Sequence, residues 1–110
     1  MSEWEVVFKR SELDGRPVLA VSGEIDLAVA ARFAEELENL VGGNGVGNVL
    51  VDLSAVEFID SSGIRELLKA KGTAQESGAD LLLLHPSAAC RRVLEISGVW
   101  SNFTVLEASN

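Results

Sequence analysis

The chain has 110 residues, 47% of them hydrophobic, which suits one compact domain with its own core rather than a disordered segment. Seventeen acidic residues against nine basic ones leave a net charge of −8. Such a surface repels phosphate backbones and anionic lipid, which argues against nucleic-acid binding by counterion release and favours a protein partner with a basic face.

Cys90 is the only cysteine, so no internal disulfide forms and a reducing compartment is expected. The opening MSEWEVVFKR lacks the basic-then-apolar pattern of a signal peptide, and no apolar run reaches the ~18 residues of a membrane span. The expectation is a soluble, cytoplasmic protein with no membrane partner. Its like charge and lack of an exposed apolar repeat suggest a monomer.

In chain order, residues 5–9 and 16–22 are β-rich runs flanking the polar SELDG, and Asp14-Gly15 marks the turn of a hairpin. Apolar residues then recur at Leu27, Ala30, Ala31, Ala34, Leu37 and Val41. This is helical spacing, with Glu35, Glu36 and Glu38 on other faces and Asp26 at the N-cap position. GGNGVG (42–47) stops that helix, and NVLVDL (48–53) reads as a buried strand because its apolar run is nearly continuous. Ile64, Leu67, Leu68 and Lys71 repeat the helical spacing up to Ser77-Gly78. DLLLLH (80–85) is another apolar strand, closed by Pro86. SAACRRVLEISG (87–98) predicts a third helix, with Ser87 as cap, Gly98 as stop, and Ala89, Val93 and Ile96 along one side. FTVLEA (103–108) predicts a last short strand. The order β-β-α-β-α-β-α-β predicts one α/β domain over residues 1–110. Its sheet is mixed and mainly parallel, with right-handed crossovers, an antiparallel N-terminal hairpin and helices packed on it.

The glycines of GGNGVG follow a helix and precede a strand, the reverse of a phosphate-cradling loop, and no Lys-Ser/Thr pair follows them. His85 and Cys90 fall short of the about four ligands a structural zinc requires and are expected to pack at the core or its boundary. One histidine and no GxSxG give no support to a serine-nucleophile triad. No cofactor or metal is implied, and the chain is not expected to be an enzyme. Arg91 and Arg92 are the only adjacent basic pair and read as a solvated helix face or the edge of an interaction surface.

The segment Asp60-Ser61-Ser62-Gly63 stands where the strand gives way to the second helix. Asp and Ser are preferred N-cap residues, so a plain helix start is one reading. Gly63, however, lies inside the helix, where glycine costs about 1 kcal/mol relative to alanine, so something must approach the backbone there or the turn must be unusually tight. The site also follows a central strand at its C-terminal end, where open α/β sheets place functional groups.

GEIDLAVA (23–30), VDLSAVEFIDSSGIRELL (51–68) and LLLLHPSAACRRVLEISGVWSNFTVL (81–106) resemble, in order and spacing, the three characteristic segments of STAS domains. Within that superfamily the chain is most similar to bacterial anti-sigma factor antagonists. The resemblance implies a small α/β domain whose exposed serine, Ser61, is phosphorylated by a cognate anti-sigma factor that is itself a GHKL-type serine kinase. The unphosphorylated form would bind that factor and free the sigma factor, and a PP2C-type phosphatase would reset the switch. Ser62 and Gly63 would complete the turn, with Glu24, Asp26 and Asp60 beside it on the docking surface. Arg65-Glu66 departs from the small or apolar residues many relatives carry there. The alternative within the same superfamily is a non-switching scaffold or accessory subunit, of stressosome or lipid-transport ATPase type.

Overall fold

Asp14 and Gly15 both take positive φ, 54° and 80°, as in the two-residue type I′ turn whose twist matches the strands it joins. It closes β1 (Val7–Leu13) onto β2 (Arg16–Ile25), antiparallel, with Leu13 opposite Arg16. The computed structural model describes residues 6–42 and 47–107. Glu5, the middle of the glycine-rich loop and Ala108 lie outside the described residues. Strands β3 (Val49–Ile59), β4 (Leu81–Leu84) and β5 (Thr104–Leu106) follow in spatial order β1-β2-β3-β4-β5, and every pairing beyond the hairpin is parallel. Between them run α1 (Leu27–Gly42), α2 (Ser61–Glu76) and α3 (Ala88–Ile96), with a 3-10 turn over Trp100–Asn102. This is the predicted order with one short turn added.

The helices pack on one face of the sheet. Their buried side chains, among them Phe33, Leu37, Leu67, Cys90 and Leu94, join one cluster with Leu19, Val21, Val51, Leu53 and Leu83. The reverse face carries a smaller cluster made only of strand residues, Val18, Leu50, Leu82 and Leu84. Both faces of β4 are therefore buried, which explains its unbroken leucine run.

Two helical stripes differ from their sequence prediction. In α1 the buried residues are Ala30, Phe33, Leu37 and Leu40, while Leu27 is 76% exposed and Ala31 lies on the surface. Phe33 sets that rotation: its ring stacks on Phe8, with centroids 6.2 Å apart and planes 14° from parallel. In α3, Cys90 and Leu94 point inward, whereas Ala89 is exposed and Ile96 is 74% exposed. Here the cap decides. The Ser87 amide donates to the Leu53 carbonyl (3.1 Å) and its hydroxyl to the Val56 carbonyl (2.6 Å), fixing the start of α3 against β3.

Lys71, on the inner side of α2, is buried with a partner. Its Nζ lies 2.6 Å from Asp80 Oδ1 and 5.9 Å from the Phe103 ring centre, and the same carboxylate oxygen accepts from the Leu81 amide at 2.8 Å. Pairing offsets the desolvation that would otherwise exclude a lysine from this position.

Strands β2 and β3 run past their predicted ends at Ser22 and Leu53, to Ile25 and Ile59. Irregularities between Ala20 and Ser22 and between Gly23 and Glu24 keep them paired, so that Glu24 faces Phe58 and Ile25 faces Ile59. The strands end level, and each enters a helix through a single aspartate, Asp26 or Asp60. That arrangement builds the site.

Candidate functional site

Asp60 is extended (φ −114°, ψ −172°) and caps α2. Its Oδ1 accepts from the amides of Ser62 (3.0 Å) and Gly63 (3.4 Å) and from the Ser62 hydroxyl (2.5 Å). The hydroxyl bond, more than the two amides and against the desolvation of partial burial, holds the Asp60 carboxyl below its ordinary value of 3.8. Asp60 is therefore an anion at neutral pH. Its carbonyl accepts the first helical bond, from Ile64, and its amide donates to the Ile25 carbonyl at 3.1 Å, joining the start of α2 to the end of β2.

Gly63 answers the question raised by a glycine inside a helix. A Cβ there would lie 2.7 Å from Ile25 Cγ2 and 2.9 Å from Ile59 Cγ1, so the backbone of α2 rests directly on the last residues of both strands. The two serines separate chemically. Ser62 is half-buried and its hydroxyl proton is committed to Asp60, whereas Ser61 is exposed and makes no side-chain hydrogen bond among the described residues.

Glu24 is exposed on the neighbouring strand end. Asp26 occupies the predicted N-cap position, and its carbonyl accepts from the Val29 amide at 3.0 Å. Its carboxylate does not cap as the sequence suggested: Oδ1 is buried and has no hydrogen-bond partner. Leu27, Ala28 and Val29 provide no hydroxyl after it, unlike Ser62 after Asp60. Sequence reasoning missed two apolar members of this end, Phe58 (44% exposed, opposite Glu24) and Leu27. The signal was there for Phe58, a large apolar residue next to the inward Ile59 and hence out of phase with the core face.

The other candidates are structural. Cys90 is fully buried, and desolvation pushes its thiol up to about 11, out of the reactive range. His85 is half-buried at the end of β4 with φ 49°, and its amide donates to the Leu106 carbonyl. No cluster of three or more metal-type side chains occurs among the described residues. Arg91 pairs with Glu95 (2.9 Å) and lies 4.8 Å from the Trp100 ring centre, and Arg92 is exposed, as a solvated helix face requires. Among the described residues, no helix is long and apolar enough to cross a membrane.

The chain as a whole is similar to known proteins. The family model described as "Mlab, STAS domain" matches residues 8–106. Anti-sigma-F factor antagonist RsfB of Mycobacterium tuberculosis is 32% identical over 92 residues, covering 82% of this chain and 72% of that protein. The crystal structure of an anti-sigma factor antagonist from Mycobacterium paratuberculosis superposes with a TM-score of 0.82 at 25% identity, covering 94% of this chain and 87% of the other. The unphosphorylated form of the antagonist SpoIIAA shares the fold, with a TM-score of 0.76 at 20% identity over 94% of this chain and 90% of its own. The chain belongs to the STAS-domain family, among the anti-sigma factor antagonists. Anti-sigma factor antagonists are non-enzymatic STAS proteins.

Proposed function

We propose that this protein is a cytoplasmic partner switch. Its unphosphorylated form binds an anti-sigma factor that is itself a GHKL-type serine kinase, which frees the sigma factor. Phosphorylation of Ser61 abolishes binding, and a PP2C-type phosphatase restores it. The docking surface comprises Glu24, Asp26, Asp60, Ser61, Ser62 and Gly63. The observation that carries this reading is the division of labour between the serines: Ser62 is tied to Asp60, while the Ser61 hydroxyl is exposed at the start of a helix already capped. A phosphate added to Ser61 breaks no bond that holds the fold.

The energetics favour a switch read at an interface. Within the protein, a helix N-terminus stabilises an exposed anion by roughly 0.3–1 kcal/mol. The Asp60 carboxylate opposes it by about 1–4 kcal/mol if the charges lie ~4 Å apart. Against a desolvated partner surface the dianion has no such offset, and a loss of ~3 kcal/mol weakens binding more than a hundredfold.

The test is incubation with a candidate anti-sigma kinase and labelled ATP, followed by mapping of the modified residue. Phosphate is expected on Ser61, and its appearance on Ser62 would refute the assignment. Ser61→Ala should accept no phosphate and bind constitutively. Ser61→Asp should melt as the parent does by circular dichroism yet lose the partner, and an unfolded Ser61→Asp would undercut this account.

A further inference from the structure

One cation on the first two turns of α2 has no partner among the described residues. Arg65 is exposed and makes no ion pair, hydrogen bond or ring contact among the described residues, unlike Arg91 and Lys71. It lies four residues beyond Ser61 on the exposed side of the helix, while Gly63, Ile64 and Leu67 point inward. Four residues advance about 6 Å along an α-helix, which brings positions i and i+4 onto one face. Helical side chains lean toward the N-terminus, so the long Arg65 side chain is within reach of the turn that contains Ser61. The order, with the negative group first and the positive group four residues later, is the favourable one for such pairs. Two carboxylates belong to the same end: Asp60 precedes Ser61 directly, and Asp26 follows Ile25, whose carbonyl holds the Asp60 amide.

We propose that Arg65 is the intramolecular counter-ion of a phosphate on Ser61, drawn back over the first turn of α2 when that serine is modified. The inference rests on the reading of Ser61 as the acceptor. A guanidinium grips phosphate through two parallel N–H donors, so the pair is directional as well as electrostatic. Modification then acts twice on the docking surface. It adds a dianion, and it withdraws a cation that the unmodified protein leaves free for a partner.

The experiment installs phosphoserine at position 61 during translation of the full chain, so that no kinase is needed. The second ionisation of the phosphate is then followed by 31P NMR in the parent, Arg65→Gln and Arg65→Lys. The phosphate pKa should rise by about 0.3 unit in Arg65→Gln, the size of an exposed i,i+4 ion pair, and by less in Arg65→Lys. The parent-to-Gln difference should shrink in ~1 M salt, where the screening length is about 3 Å. Amide spectra of the unphosphorylated variants that overlay on the parent keep a folding defect from imitating the result. Parent and Arg65→Gln values agreeing within about 0.1 unit would overturn the proposal, the shift being well above that limit. A kinase that modifies another serine would instead refute the acceptor reading and leave this titration intact, so the two failures are distinguishable.

Discussion

The helix starts after β2 and β3 occupy equivalent positions and use the same residue differently. Ile25 and Ile59 face one another across the ladder, and each is followed by an aspartate and then a helix of 16 residues. Asp60 accepts three hydrogen bonds through one oxygen, whereas the buried oxygen of Asp26 accepts none. The third residue after each aspartate completes the contrast. It is Gly63 in α2, where a methyl group would collide with Ile25 and Ile59, and half-buried Val29 in α1. One start is a tightly fitted seat. The other retains an unpaired carboxylate oxygen at the surface proposed for docking. An unsatisfied buried acceptor costs roughly 1–3 kcal/mol, so this start lacks the stabilising cap that Asp60 gives the other.

Adding a methyl group to the seat should have the largest effect on folding. Gly63→Ala is expected to lower stability by up to about 2 kcal/mol, because overpacking of roughly 1–3 kcal/mol outweighs the ~1 kcal/mol gained in helix propensity. Urea denaturation measures the change, and a more stable variant would show that the close contact yields easily.

The aspartates should then diverge. Asp60→Ala removes a working cap and should cost about 1 kcal/mol, whereas Asp26→Ala should be neutral or mildly stabilising. Equal losses in thermal melts would erase the distinction between the two starts. Partner binding is expected to invert the order, with Asp26→Ala impaired although its fold is intact.

Ser62→Ala should lower stability by about 0.5–1.5 kcal/mol at neutral pH, through loss of the hydroxyl bond to Asp60. It also carries a pH signature. The folded-state pKa of Asp60 is depressed below its ordinary 3.8, so its contribution is fully present above that value and is lost as pH falls through the lower, folded one. Melting temperatures recorded from about pH 5 to pH 2 should therefore fall less steeply in Ser62→Ala than in the parent. An unchanged acid slope would mean that the hydroxyl does not set the Asp60 titration.

Much of this architecture was legible in local chemistry. Asp14-Gly15 specified the hairpin turn, Asp60 and its serines marked a helix start, and a glycine inside α2 called for either a close approach or a tight turn. What escaped depends on contacts between distant segments. The extension of β2 and β3 to Ile25 and Ile59 follows from their mutual pairing, which no periodicity within either strand reveals. The rotation of α1 is set by Phe33 against Phe8, and that of α3 by Ser87 on β3, so stripes read from spacing alone placed Leu27 and Ile96 inward. The family resemblance singled out Ser61 in the sequence, but residue chemistry alone did not separate it from Ser62. Only the folded turn commits Ser62 to Asp60 and leaves Ser61 free.

The contact beneath Gly63 has a mechanical consequence. Ile25 and Ile59 leave no room for a side chain between α2 and the sheet at Gly63, and the amide link from Asp60 to Ile25 resists movement away from it. A modification at Ser61 can neither sink the helix nor lift it without breaking one of these. In the switch proposed above, the message would be written as electric charge on that support rather than as displacement through the core. Modified and unmodified backbones should superpose, and whatever reads the difference must touch this end of the molecule directly.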